Sequence, residues 1–311
     1  MNGLRQRTEY LGVRATLNLV ALMPEPLTRV LFRGLALGYF LVGRRRRRLT
    51  LTNLRAALPE LPARRRLRLA LGTYLHVSEV ALHSARMLCR LWTEAELDAQ
   101  VDDDAAQRLL ALEAEHEKGL MIVSAHLGDW EFMGRCLART LRRPKHLVAR
   151  RSDNRLIEED VVRRLRGVFN TGIIYKKGAG TAMVRALLRG EHVGILIDQK
   201  LSRKQGGIET DFFGRPALAV SAPAALALRY DIPVVPVFLF RTGRNRYRLE
   251  VDGPVDPPAE GQPERERIAD LTQRLQKIIE EKVREHPEQW FWMHDRWRPS
   301  KKTKRAQENV G

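Results

Sequence analysis

The chain has 311 residues, 44% of them apolar, and a formal net charge of +18. That length suffices for one large core or two lobes, and that apolar share excludes a disordered chain. Two cysteines, Cys89 and Cys136, with no CxxC and no Cys/His cluster, give a zinc site little support and no basis for a disulfide scaffold, in keeping with a reducing compartment.

The first stretch, Met1 to Trp92, carries 17 Arg, no Lys and 4 acidic residues, a net +13, and a further run of cations extends from Arg296 to Arg305. Such asymmetry points to an anionic partner surface: phospholipid, nucleic acid or an acidic protein. Residues 8–23 and 27–42 read as helices. Overlapping them are two runs of ten uncharged residues, Ala15–Pro24 and Gly34–Gly43, against the roughly 20 that a membrane span needs. They flank Pro24-Glu25-Pro26 and end at Arg44–Arg48, without the small-residue cleavage site of a secretory signal. The reading is a helical hairpin lying on or dipping into a bilayer, with the five arginines at headgroup level. The alternative is a pair of core helices followed by a solvated arginine run.

An amphipathic segment at Asn53–Ala57 is broken by Pro59 and Pro62, and a long helical pattern follows from Ala63 to about Trp92. Asp102–Glu117 is helical, with an acidic start that suits the helix dipole. From there strands and helices alternate. Leu120–Ser124, His146–Ala149, Ile173–Tyr175, Val193–Ile197 and Val234–Phe240 read as strands. Trp130–Thr140, Arg155–Phe169, Thr181–Leu188, Leu218–Arg229 and Arg265–Glu285 read as helices, with Arg246–Val251 an antiparallel edge strand. This order predicts an α/β fold: a mostly parallel central sheet flanked by helices, behind an N-terminal helical membrane-associating region. The division expected is 1–95 for that Arg-rich region, 96–298 for the α/β core and 299–311 for a basic tail.

The most informative stretch is His126-Leu127-Gly128-Asp129-Trp130-Glu131. It follows a predicted strand at its carboxyl end, where ligands of open α/β sheets bind. Five residues within a regular helix rotate a side chain by about 140°, so His126 and Glu131 meet only if His126 lies in the turn before the helix. Gly128 gives that turn its backbone freedom. A base oriented by an acid is a way to take a proton from a hydroxyl; a surface or core polar pair is the plainer alternative.

Other candidates fall at the same sheet edge. Arg150 and Arg151, after His146–Ala149, suit phosphate binding or carbonyl polarisation, or else belong to a loop capped by Asp153 or Asn154. Asp198, after Val193–Ile197, is placed to pair with Arg150 across the cleft, or is an exposed turn acid. Gly178-Ala179-Gly180-Thr181 lacks the spacing of a phosphate loop and reads as a turn with Thr181 as helix N-cap. Phe212-Phe213-Gly214 either lines an acyl pocket or plugs the core. Ser124 has no GxSxG elbow and reads as structural. Trp290, Trp292 and Trp297 suit packing or lipid headgroups better than base stacking.

Taken in order, these stretches resemble the bacterial lipid A late acyltransferases, relatives of the lysophospholipid acyltransferases. His126 to Glu131 resembles the HX4(D/E) signature, although many members carry Asn-Trp-Glu where this chain has Asp129-Trp130-Glu131. Ala149 to Asn154 resembles the Arg-bearing second block. Val184 to Glu191, running into Asp198-Gln199, is similar to the third. Phe212-Phe213-Gly214 and Glu288 to His294 resemble the later blocks, and residues 44–60 the N-terminal helix pattern. The resemblance implies transfer of a fatty acyl group from an acyl carrier protein thioester to a hydroxyl of a lipid A precursor, at the cytoplasmic face of the inner membrane, with peripheral or monotopic attachment to an anionic membrane surface.

On this reading His126 is the general base and Glu131 fixes its tautomer, while Arg150 or the amides of the Gly128 turn stabilise the oxyanion and Asp198 holds Arg150. No metal, cofactor or covalent intermediate is required. Rival readings are acylation of another glycolipid or a lysophospholipid, thioester hydrolysis, and a basic nucleic-acid-binding protein. The last lacks aromatics interleaved with the arginines of 44–68, and nucleic acid is not an expected partner.

Overall fold

The apolar run that precedes His126 is the middle strand of the molecule. The structure, a computed structural model, describes residues 2–167, 171–176 and 178–297. Four helices come first: α1 (Asn2–Leu22), α2 (Glu25–Val42), α3 (Arg44–Ala57) and α4 (Ala63–Leu88). The arginine run is therefore itself helical, opening α3. The short α5 (Glu94–Asp98), held by a Thr93/Glu96 capping box, leads to β1 (Val101–Asp102) and α6 (Ala106–Glu115).

The alternating part then follows: β2 (Met121–Ser124), α7 (Trp130–Thr140), β3 (Lys145–Ala149), α8 (Arg155–Ile157), a π-helical turn at Glu158–Val162, α9 (Arg163–Gly167), β4 (Gly172–Tyr175), α10 (Ala179–Leu188) and β5 (His192–Leu196). A hairpin of β6 (Gly207–Asp211) and β7 (Pro216–Val220) precedes α11 (Ala222–Tyr230), β8 (Val234–Gly243), β9 (Arg246–Val251) and α12 (Glu264–Glu285).

The main sheet has the order β1-β9-β8-β2-β5-β3-β4. β8, β2, β5, β3 and β4 are mutually parallel, and β9 pairs antiparallel to β8. The mostly parallel sheet is thus as the alternation predicted; β9 is antiparallel to β8 as expected, but it is not the edge strand, because β1 pairs parallel to its outer side. Every residue of β2 is buried, as a strand covered on both faces requires. One face packs Met121, Val123 and Val193 with Leu54, Tyr74, Trp290 and Trp292. The other packs Ile122, Val235 and Leu249 with Leu109 and Phe132. Because Leu54 and Tyr74 share that first cluster with the strands, α3 and α4 are part of the core that builds the sheet.

Three further local expectations are corrected, and one open alternative is decided. Leu218 to Val220 belong to β7, not to a helix: the run Ala217 to Val220 pairs antiparallel with Gly207 to Thr210, and the helix begins at Ala222, with a proline in its first turn. The helix expected from Arg155 to Phe169 is divided by the π turn, whose Glu158 binds the Ser152 amide and the Tyr175 hydroxyl; Phe169 lies outside the described residues. Thr181 is not an N-cap, because α10 starts earlier, with Gly178 in the left-handed region at φ 77°. Phe212 and Phe213 plug the core, in contact with Trp290, Trp292 and Trp297. The basic tail at 299–311 lies outside the described residues.

Candidate active site

Strand register decides which side chains meet. β2 pairs with β5 so that Ser124 lies opposite Leu196, and the Ile197 amide continues the ladder to the Ser124 carbonyl. Two residues further on each strand, His126 stands beside Asp198. β2 also lies where the chain, having built β5, β3 and β4 on one side, crosses to β8 on the other. A crevice at the carboxyl ends of the strands is expected at such a switch point.

The two side chains are joined twice. His126 Nδ1 lies 2.8 Å from Asp198 Oδ1, and the His126 amide donates to Asp198 Oδ2 at 3.1 Å. The Trp290 indole N–H donates to the same Oδ2 at 2.9 Å. Asp198 is almost fully buried, whereas the His126 ring keeps 24% of its side-chain exposure. Burial alone raises the pKa of Asp198. The His126 ring and the N–H groups of His126 and Trp290 outweigh it and hold the carboxyl down at about 2. The carboxylate is therefore ionised and acceptor-only, so Nδ1 must carry a proton toward it. In neutral His126 the remaining lone pair is then on Nε2, which is the arrangement that can take a proton from a hydroxyl.

The turn between His126 and α7 is saturated with hydrogen bonds. The His126 carbonyl accepts from Phe291 N at 3.0 Å, Gly128 N donates to the Gln289 carbonyl at 3.1 Å, and Asp129 N donates to the Leu239 carbonyl at 2.8 Å. Gly128 sits at φ 64°, and an added Cβ would lie 2.1 Å from the Leu239 carbonyl oxygen, so both backbone and space demand glycine. His76 of α4, 1% exposed, lies with its Nε2 3.0 Å from the Gly128 carbonyl. Burial lowers its pKa to about 4, so it is a neutral donor there. The Asp129 side chain caps α7, accepting from Phe132 N at 3.0 Å.

An apolar cavity opens beside this turn, between α7 and the sheet. Trp130, Met133, Leu137, Leu147, Ile195 and Leu196 line it, with Ser124 and Glu131. The Trp130 ring, which forms part of that wall, packs edge-on to the His126 ring at 5.4 Å.

The sequence-chosen residues thus separate into groups. His126 and Asp198 are brought together, but Asp198 does not hold Arg150. Arg150 turns away to Asp153, bonding both its oxygens at 2.7 and 2.9 Å, and the two side chains are 73% and 87% exposed. Asn154 caps α8, accepting from Leu156 N and Ile157 N. Glu131 is half-buried in the cavity wall, and the Nδ1 position assigned to it is taken by Asp198. The Gly128 and Asp129 amides, offered to an oxyanion, are both engaged by carbonyls. Ser124 is buried, its hydroxyl 3.6 Å from Met133 Sδ.

Sequence reasoning missed Trp290 as a partner of Asp198 and His76 as a support of the turn. Each is remote in the chain and reads as an ordinary core residue. The only local signal for His76 is a polar ring on the buried side of a long helix.

Two comparisons bear on this arrangement. The family model for bacterial lipid A biosynthesis acyltransferases matches residues 2–299. Among curated proteins, the chain is 26% identical over 209 residues to the lipid A biosynthesis palmitoleoyltransferase of Escherichia coli (strain K12). It is equally similar to the lipid A biosynthesis acyltransferase of Shigella flexneri. In each case the aligned stretch covers 67% of this chain and 64% of the relative, so the chain spans a little under two thirds of the relatives' length.

Proposed function

Because this chain belongs to the bacterial lipid A biosynthesis acyltransferase family, we propose that it transfers a fatty acyl group from an acyl carrier protein thioester to a hydroxyl of a lipid A precursor. The observation that carries the reading is the His126–Asp198 pair at the carboxyl end of β2, with Nδ1 on a buried carboxylate and a ring that keeps 24% of its side-chain exposure. The acceptor hydroxyl gives its proton to Nε2 as its oxygen attacks the thioester carbonyl. Asp198 fixes the ring's tautomer and stabilises the imidazolium that forms. Collapse of the tetrahedral intermediate breaks the C–S bond, and the proton passes from Nε2 to the leaving sulfur. The apolar cavity beside Trp130, with Glu131 in its wall, takes the acyl chain. The thioester is a co-substrate, and the reaction as proposed uses no cofactor or metal.

The N-terminal helices support a membrane surface as partner. No described helix is long and apolar enough to cross a membrane. Yet α1 and α2 expose Leu11, Leu22, Val30, Leu35, Leu41 and Val42, and Arg44, Arg45 and Arg48 stand exposed next to them. Apolar side chains beside a row of cations suit the interface of an anionic leaflet, with the active site turned to the cytoplasmic face. The same cations suit an acidic carrier protein.

Mass spectrometry of lipid A from cells with and without this protein tests the proposal. A difference of one acyl chain is expected. Unchanged lipid A, with a change instead in another glycolipid or a lysophospholipid, would overturn the assigned acceptor.

A further inference from the structure

A thioester carbonyl that becomes tetrahedral needs a hydrogen-bond donor for its oxyanion, and the described groups around His126 leave few. The His126 amide is committed to Asp198, the Gly128 amide to Gln289 and the Asp129 amide to Leu239. Arg150 faces Asp153 at the surface. One side chain remains against the reactive nitrogen: Gln199 Nε2 lies 3.3 Å from His126 Nε2.

The identity of the facing atom follows from the tautomer. Nδ1 donates to Asp198, so Nε2 presents a lone pair, and the group against it must be the amide's NH2 and not its oxygen. The main chain of Gln199 is held on both sides. Asp198 before it is fixed by His126 and Trp290, and the Lys200 amide after it donates to His294 Nε2 at 3.2 Å. The side chain itself is only half-buried, free to rotate about its own torsions while its backbone stays in place.

We propose that the Gln199 side-chain amide is the oxyanion donor of the transfer. At rest it donates to His126 Nε2. When the acceptor hydroxyl takes that place, the NH2 donates instead to the former carbonyl oxygen. The acceptor oxygen forms a bond to the carbonyl carbon, the π pair moves onto the carbonyl oxygen under the Gln199 N–H, and the hydroxyl proton goes to Nε2. The pair then returns, the C–S bond breaks and the sulfur takes the proton. The inference rests on His126 being the base.

Two variants test it, Gln199→Met, of similar length without a donor, and Gln199→Glu, of the same shape with acceptors only. Each is compared with the native chain in acyl transfer and in thioester hydrolysis without lipid acceptor, after matching melting temperatures. Deleting one such donor lowers kcat by about 10²–10³-fold. The expected result is that loss in kcat with KM for both substrates little changed, and hydrolysis falling by the same factor, because both reactions pass through the oxyanion. Overturning results are kcat kept within about threefold, a rise confined to KM for the lipid, or transfer lost while hydrolysis is untouched. The last would make Gln199 a positioning residue for the acceptor. His126→Ala is run alongside: its full activity sinks the base reading itself, whereas an inactive His126→Ala beside a normal Gln199→Met sinks only the amide.

Discussion

On the proposed mechanism, Asp198→Asn should disable His126 as a base without touching it. In the native site Oδ2 accepts two N–H groups, from the His126 amide at 3.1 Å and the Trp290 indole at 2.9 Å. An asparagine must therefore keep its carbonyl oxygen at that position, because an NH2 there would face two donors in a buried pocket. Its NH2 is then forced against His126 Nδ1. The ring answers by accepting at Nδ1 and carrying its proton on Nε2, where the hydroxyl proton must be received.

A reversed tautomer of this kind costs about 10⁴-fold in kcat, equivalent to about 5 kcal/mol of transition-state stabilisation. KM should change little, since Asp198 is almost fully buried and bonded to His126 and Trp290. The assay is initial-rate acyl transfer at saturating donor and acceptor, with the fold checked by near-UV circular dichroism. Glu131→Gln is the paired measurement: because Asp198 rather than Glu131 holds Nδ1, it should lose far less. An Asp198→Asn enzyme within tenfold of native kcat, or a Glu131→Gln enzyme that loses more, would refute the reasoning.

Two further predictions concern His76 beneath the site and the exposed N-terminal helices. Burial keeps His76 neutral in the fold, with its pKa lowered from 6.5 to about 4, so between those values the unfolded chain binds a proton that the folded chain does not. Stability is then complete above about pH 6.5 and falls by about 3 kcal/mol as the pH drops to 4. Urea unfolding at both pH values should show that loss shrink by this amount in His76→Gln, which keeps a donor for Gly128; equal losses in the two proteins would contradict it. At the N-terminus, Leu35→Glu combined with Val42→Glu alters side chains that are 61% and 78% exposed. It should weaken binding to anionic vesicles by about tenfold or more while leaving the melting temperature in place. Raised salt should weaken the native protein's binding as well, and indifference to both changes would remove the membrane role.

How far the sequence reached is clearest at His126. The apolar run before it, the glycine within the turn and the acidic start of α7 are local signals, and they placed the imidazole at the carboxyl end of a buried strand. The same signals offered Glu131 as its partner, because Glu131 is the nearest carboxylate along the chain. Distance along the chain misleads here: Glu131 enters the wall of the cavity, while Asp198, 72 positions away, is brought in by the pairing of β2 with β5. The hairpin at Gly207 to Val220 was missed for a related reason. An apolar stretch such as Ala217 to Val220 fits either a helix or a strand until its pairing partner is known.

The sequence alone determined the alternation of strands and helices, the uneven charge, the turn that exposes His126 and the order of blocks that resembles one enzyme family. These depend on period, composition and short-range backbone preference, all of which act between near neighbours. Only the tertiary structure decided that Asp198 and not Glu131 holds the ring, that Trp290 from the C-terminal segment bonds Asp198 and His76 from α4 bonds the Gly128 turn, and that Gln199 faces His126 Nε2. Those contacts are set by strand register and by the burial of groups that must find hydrogen-bond partners, and neither is written in any local stretch of the chain.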